Sequence, residues 1–215
     1  MNHPSSRAWL ITNHSPRQIV TGYSSIQPTD LIIAVDGGYS RCLELHLIPN
    51  ILMGDFDSID LELMDNLPST CKKLTFPADK DETDTQLALE YCIANNIEEV
   101  FICNDLMGRA DHAWALIQNL QQAKKSQVKA SILSNTQILT ILDVHNKFTY
   151  PADSIISLLS LSESSVFASS NGLKYPLDNL TLYSWQSKGI SNEAIANEQE
   201  IQLCEGNVMM IVTVV

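Results

Sequence analysis

Two aspartates one residue apart, Asp55 and Asp57, stand in Gly54-Asp55-Phe56-Asp57-Ser58, directly after the apolar run Ile51-Leu52-Met53. The run reads as a buried strand, which puts both carboxylates at a strand's carboxyl end, where open α/β sheets bind their ligands. In an extended segment, residues two apart point to the same side, so the two acids repel unless a cation lies between them. A hard divalent ion resolves that conflict. Mg2+ in particular takes one or two carboxylates and leaves its other positions to water and phosphate oxygens. A solvated acidic turn accounts for the same pentapeptide equally well.

Three further stretches carry comparable chemistry. Asp36-Gly37-Gly38 follows the strand-like Leu31 to Val35 and precedes a helix beginning near Tyr39. Two glycines let backbone approach a ligand closely, and a helix amino terminus offers N–H groups to an anion, although a plain tight turn reads the same way. Pro77-Ala78-Asp79-Lys80-Asp81-Glu82-Thr83-Asp84 opens a second helix, where Thr83 and Gln86 fit a capping box and Asp84 falls in the first turn. An acid there is favoured by the helix dipole in any protein, but four acids around the single Lys80 exceed what a cap requires. They point to a metal site shared with Asp55 and Asp57, with Lys80 free to meet a phosphate oxygen. Gly108-Arg109-Ala110-Asp111-His112 follows the strand Glu99 to Cys103. Asp111 reads as the amino-terminal cap of a helix from His112 to Lys124, while the fork of Arg109 suits a phosphate or an ion pair with a neighbouring acid.

These stretches are spaced by a regular alternation. Ala8 to Thr12, Leu31 to Val35, Ile51 to Met53, Lys73 to Phe76, Val100 to Cys103 and Ala130 to Leu133 read as strands with helices between several of them. That pattern predicts an α/β domain over residues 1–144, a mostly parallel, Rossmann-like sheet flanked by helices. Beyond Asp143 the runs are short, rich in serine and β-branched residues, and punctuated by glycine and proline. They predict a small all-β, sandwich- or barrel-like domain over 145–215.

Composition narrows the function classes. The 215 residues carry a formal charge of −12, which disfavours nucleic acid and anionic membrane surfaces as partners, since both reward a basic face. A phosphate ligand would need a metal to supply positive charge. Residues 1–7 lead into a short strand-like run, not a secretory core, and no apolar run reaches a membrane span, so a cytoplasmic protein is expected. The five cysteines are scattered with no Cys-x-x-Cys pair. Reduced, mostly packed thiols are expected, with neither zinc nor a disulfide framework.

Taken in order, Asp36-Gly37-Gly38, Gly54-Asp55-Phe56-Asp57-Ser58, Lys80-Asp81-x-Thr83-Asp84 and Gly108-Arg109-x-Asp111-His112 resemble the thiamine pyrophosphokinase family. Gly172-Leu173-Lys174-Tyr175-Pro176-Leu177 and Ser191-Asn192-Glu193 are similar to that family's thiamine-binding β-domain. Two departures are visible: Met107-Gly108-Arg109 where the family usually has Gly-Gly-Arg, and Pro49-Asn50 where it has Pro-Asp.

The resemblance implies transfer of a pyrophosphoryl group from ATP to the hydroxyethyl oxygen of thiamine, giving thiamine diphosphate and AMP. It implies Mg2+ held by Asp36, Asp55, Asp57 and Asp84, with Asp81 beside them. It implies a phosphate-binding surface from Gly37, Gly38, Lys80, Asp81, Thr83, Gly108 and Arg109. Asp111, Tyr175, Ser191 and Asn192 would lie on the thiamine side, in a homodimer whose thiamine site is shared between subunits. Tyr175 offers an aromatic face to the cationic thiazolium, and Ser191 and Asn192 offer hydrogen bonds to the pyrimidine. Two other classes fit parts of the pattern: an Asp-x-Asp glycosyltransferase using a sugar nucleotide, and a thiamine or nucleotide sensor without turnover.

Overall fold

A computed structural model describes residues 6–18, 25–56, 59, 61–77 and 79–214. The chain forms two compact units, Met1–Asn135 and Thr136–Val215.

The first unit is built on six strands, β1 (Arg7–Ile11), β2 (Leu31–Val35), β3 (Ile51–Gly54), β4 (Lys72–Thr75), β5 (Glu99–Cys103) and β6 (Lys129–Leu133), with helices α1 (Gly38–Glu44), α2 (Leu61–Asp65), α3 (Asp84–Ala94) and α4 (Ala110–Lys125). The strands pair in the order β6-β5-β1-β2-β3-β4, every pairing parallel. The expected parallel sheet with helices is therefore present. Its central strands are buried on both faces, as their unbroken apolar runs require. Trp9 and Phe101 stack at 4.4 Å between ring centres in the middle of it. The edge strand β4 carries Lys72 and Lys73 and is mostly exposed, which keeps that edge from pairing further.

Asp30 fastens the amino ends of β1 and β2. Its buried carboxylate accepts from Trp9 Nε1 (2.7 Å), Gln27 N (2.9 Å) and Arg7 (3.1 Å). Helix α1 approaches β1 closely because residue 38 has no side chain: a Cβ there would lie 1.9 Å from the Ile11 carbonyl oxygen. Four of the five thiols are buried, and all five are unpaired, as expected. Burial pushes Cys42 and Cys92 up to about 12, so both are neutral packing groups at ordinary pH.

The second unit contains only strands: β7 (Gln137–Ile141), β8 (His145–Thr149), β9 (Ile155–Ser160), β10 (Ser164–Asn171), β11 (Thr181–Tyr183), β12 (Asn192–Glu193), β13 (Glu198–Glu205) and β14 (Val208–Thr213). Two antiparallel groups form, in the orders β12-β9-β14-β7 and β11-β10-β13-β8. Burial alternates along β9 and β13, placing Ile156, Leu158, Ile201 and Leu203 inside. Gln199, wholly buried, replaces ladder bonds at the start of β13: its amide bonds both the N–H and the carbonyl of Tyr150 (3.1 Å each) and also the Ala196 carbonyl.

The alternation of apolar runs did not reveal three elements. Helix α2 is a single short turn, β12 is two residues long, and β7 lies inside the stretch expected to close the α/β domain yet pairs with β14 of the second unit. Helix α4 begins at Ala110, so Asp111 is its second residue and Arg109 occupies the cap position without its side chain capping a helix amide. Asp111 is therefore not the amino-terminal cap.

Gly38→Ala should destabilise the protein by about 3 kcal/mol or more, the upper range for forcing atoms into a packed core. Urea unfolding would read this as a lower midpoint with an unchanged slope.

Candidate active site

The strand order determines where a site can form. From β1 the chain builds outward through β2, β3 and β4, then returns to the other side of β1 to lay down β5 and β6. The carboxyl ends of β1 and β5 thus flank the point where the order reverses, the position at which open α/β sheets hold their ligands. A cavity of about 310 Å³ opens there. Its walls come from Thr12, Asn13 and His14 after β1, Asp36 after β2, Thr83 and Asp84 at the start of α3, Asn104 and Met107 after β5, and the first turns of α4.

Side chains tie the floor together. Thr12 Oγ1 and Ser15 Oγ both donate to the Cys103 carbonyl at 2.8 Å. Asn104 Nδ2 donates to Thr12 Oγ1 (2.9 Å), and its Oδ1 accepts from Leu106 N (2.7 Å). Thr12, Ser15 and Asn104 are all buried, so each of these bonds satisfies a group that water does not reach.

The expected acidic group is partly assembled. Asp36 follows β2 in a left-handed backbone conformation (φ 47°), with its N–H donating to the Met53 carbonyl at 2.7 Å. Gly54 has φ 151°, and a Cβ there would lie 3.0 Å from Asp36 Cβ, so the absence of a side chain lets the Asp36 turn pack against the end of β3. Lys80 Nζ lies 2.9 Å from Asp84 Oδ1 and 4.0 Å from Asp55 Oδ2, and it donates to the Pro77 carbonyl at 3.0 Å. All three charged side chains are largely shielded. Lys80 therefore sits among the acids and offsets them.

Asp57 and Ser58 lie outside the described residues. The extended geometry expected across Asp55-Phe56-Asp57 does not hold, because β3 ends at Gly54 and Phe56 turns with φ 67°. Asp81 is exposed and does not line the cavity. Among the described residues no cluster of three or more metal-ligating side chains is preformed. Asp36, Asp55 and Asp84 are nevertheless hard oxygen donors of the kind Mg2+ accepts, and that ion needs only one or two carboxylates beside phosphate and water. The donor set fits.

Thr83 caps α3 as expected: its Oγ1 accepts from Gln86 N at 3.2 Å, leaving Asp84 in the first turn. Gln86 reaches forward to Glu90 (3.0 Å), so the reciprocal half of the capping box is absent. Gly37 and Gly38 are buried. Tyr39 N and Ser40 N donate to the carbonyls of Asp36 and Gly37 (3.1 and 3.2 Å), so these amides close the turn instead of facing an anion. Arg109 is exposed and grips Asp111 in two bonds of 3.1 and 2.6 Å. That hydrogen bonding holds the Asp111 carboxyl below its usual range and raises Arg109. Neither belongs to the cavity wall.

In the second unit the two thiamine-side stretches meet. Lys174 N donates to the Glu193 carbonyl (2.9 Å), and Lys174 Nζ pairs with the Glu193 carboxylate (2.7 Å). Buried Asn192 is committed to the Tyr175 backbone: Oδ1 accepts from Tyr175 N (3.0 Å) and Nδ2 donates to Tyr175 O (2.7 Å). Its amide braces Tyr175, and its Oδ1 also accepts from Glu193 N at 2.9 Å. Tyr175 itself is 58% exposed, with Lys174 Nζ 5.6 Å from its ring centre. Ser191 is exposed, with φ 58°.

Thr12, Asn13, His14 and Asn104 were not anticipated as cavity residues. Their signal is modest: polar residues placed immediately after buried strand runs. Asn50, the second departure from the family pattern, is structural. Its Oδ1 accepts from Ile32 N (2.7 Å) at the amino end of β3, the opposite end of the strand from the acids.

The chain is similar to known thiamine pyrophosphokinases in sequence and fold. The thiamine pyrophosphokinase of Bacillus subtilis is 29% identical over 196 residues, covering 89% of this chain and 90% of that protein. A crystal structure of thiamine pyrophosphokinase from the same species superposes with a TM-score of 0.84 at 25% identity, covering 97% of this chain and 99% of that one. Thiamin pyrophosphokinase from Candida albicans shares the fold with a TM-score of 0.79 at 18% identity, over 97% of this chain and 89% of that chain. The family model described as the thiamin pyrophosphokinase catalytic domain matches residues 24–132, half of the sequence, and the chain therefore belongs to the thiamin pyrophosphokinase family.

Proposed function

We propose that this protein is a thiamine diphosphokinase that uses Mg2+ and ATP, acting as a homodimer in the cytoplasm. The hydroxyethyl oxygen of thiamine forms a bond to the β-phosphorus of ATP. The bond from that phosphorus to the α–β bridging oxygen breaks, AMP leaves, and the alcohol proton is released. The observation that carries the reading is the cavity at the switch point, where Asp36 and Asp84 line the wall and Lys80 stands between Asp84 and Asp55.

Asp36, Asp55, Asp84 and Asp57 would hold Mg2+, which would supply positive charge to offset that of the polyphosphate during transfer of the pyrophosphoryl group. The chain's own contribution is mostly positioning and electrostatics. Lys80 is already neutralised by carboxylates, so it exchanges one of them for a phosphate oxygen when the polyphosphate enters. Arg109, at the exposed start of α4, adds a second cation, with Gly108 giving the loop before it a left-handed turn (φ 91°). Asp111 belongs to the thiamine side with Tyr175 and Ser191, and Asn192 acts by fixing the Tyr175 backbone.

Support for a homodimer comes from the second unit's exposed aromatic surface, where Tyr183 and Trp185 stack at 4.9 Å with Trp185 65% exposed. No helix among the described residues is long and apolar enough to cross a membrane.

Incubating the protein with ATP, Mg2+ and thiamine should give AMP and thiamine diphosphate in equal amounts. ADP with thiamine monophosphate would contradict attack at the β-phosphorus, and product from a sugar nucleotide without ATP would assign the protein to the glycosyltransferase class. Asp84→Asn should lower kcat by at least about 100-fold, consistent with several kcal/mol of transition-state charge stabilisation, while the melting temperature stays near wild type. Asn192→Ala leaves the partly buried Tyr175 amide and carbonyl without their partner, costing about 1 kcal/mol of stability. Steady-state kinetics should show it raising KM for thiamine while KM for ATP is unchanged.

A further inference from the structure

The cavity wall has a charge imbalance. Asp36 and Asp84 line it, no lysine or arginine does so among the described residues, and the lining side chains able to carry positive charge are His14 and His112. The two histidines differ in their surroundings. His112 follows Asp111, whose Oδ1 accepts the His112 amide at 2.9 Å, so any charge on its ring stands beside a carboxylate. His14 has no such neighbour in the turn that carries it, Thr12-Asn13-His14-Ser15.

That turn is braced from three directions. Ser15 N donates to the Thr12 carbonyl (3.0 Å), Asp105 N donates to the His14 carbonyl (2.8 Å), and Arg41 Nε donates to the Asn13 carbonyl (3.1 Å). The Asp105 carboxylate is turned to the Asn135 amide at 2.7 Å. The His14 ring is exposed and has no hydrogen-bond partner among the described residues. Its Nε2 lies 3.4 Å from the place a Cβ on Gly108 would take, so the ring edge faces the loop that leads into Arg109. A donor on a fixed backbone, with its ring uncommitted, costs little to reorganise when an acceptor arrives.

We propose that His14 is a nucleotide-phosphate contact: its Nε2–H donates to a non-bridging oxygen of the ATP polyphosphate, held between the turn after β1 and the Gly108 loop. The proposal rests on the cavity being the nucleotide site. It makes His14 a binding residue for the donor substrate and assigns it no part in thiamine recognition.

The test is a pair of variants, His14→Ala and His14→Gln, measured for Mg-ATP binding by calorimetry and for steady-state kinetics. His14→Ala should weaken ATP binding about tenfold, the scale of one hydrogen bond to a charged group. His14→Gln, which keeps a donor, should recover most of that loss. In both variants kcat should stay within about twofold and KM for thiamine should not move. Adenosine, which lacks phosphate, should inhibit wild type and His14→Ala with the same constant. An unchanged ATP affinity in His14→Ala, an equal loss in both variants, or a parallel loss for adenosine would each overturn the proposal. The underlying reading fails separately: wild-type protein that binds ATP but forms no AMP would refute the kinase assignment, while the ratio of ATP affinities would still decide the role of His14.

Discussion

Parallel strands that diverge at a reversal of strand order leave their carboxyl ends without a shared connection, and here side chains close the gap between β1 and β5. Thr12 and Ser15 converge on one carbonyl of β5, and Asn104 links Thr12 back to Leu106. Because these groups are buried, breaking any one link leaves a polar atom unsatisfied at a cost of about 1–3 kcal/mol. The clasp therefore fixes two things at once. It sets the turn that carries His14, and it sets the start of the loop that runs through Met107 and Gly108 to α4. The cavity between them has a defined shape before any ligand enters.

Within that frame the acids present the opposite problem. Carboxylates gathered at shielded strand ends repel one another and lose hydration, so they persist only with compensation. Lys80 supplies part of it, lying 2.9 Å from Asp84 and 4.0 Å from Asp55. Backbone geometry supplies the placement. Asp36, Phe56 and Leu106 all adopt left-handed conformations, with φ of 47°, 67° and 54°, within three residues of the carboxyl end of a strand. Such conformations are uncommon for residues with a side chain and cluster where surrounding structure enforces them for function. One lysine cannot balance an acidic group and a polyphosphate together. On the proposed function, this would be the electrostatic reason for a divalent ion, and for any additional donor on the cavity wall.

The features legible in the sequence were those with a local cause. Buried parallel strands announce themselves as unbroken apolar runs, which is why β2, β3, β5 and β6 fall where the pattern places them. The Thr83 cap is legible because a hydroxyl three residues before a free amide is a short-range signal. The extended reading of Asp55-Phe56-Asp57 failed at Phe56, which turns with φ 67° two residues after β3 ends. Asp111 lost the cap position because α4 begins two residues earlier, with Arg109 and Asp111 pairing across the first residue. The cavity residues after β1 and β5 were hidden for a topological reason: nothing local says that strands 90 residues apart lie side by side, and only that adjacency makes their ends a site.

The second unit separates rigidity from recognition in the same manner. Asn192 is buried and uses its amide on the backbone of Tyr175 and Glu193, while Tyr175 leaves its ring largely exposed. On the proposed function, the recognition surface would be the aromatic ring, with the amide as its support. The Lys174–Glu193 pair is exposed and contributes little to stability on its own. Its placement beside Tyr175 matters more, because a cation resting near the ring occupies the kind of π-contact that the thiazolium of thiamine would take. A cationic ligand stacked on Tyr175 would have to displace Lys174 from the ring, and the Glu193 carboxylate, 2.7 Å from Lys174 Nζ, would keep the lysine paired.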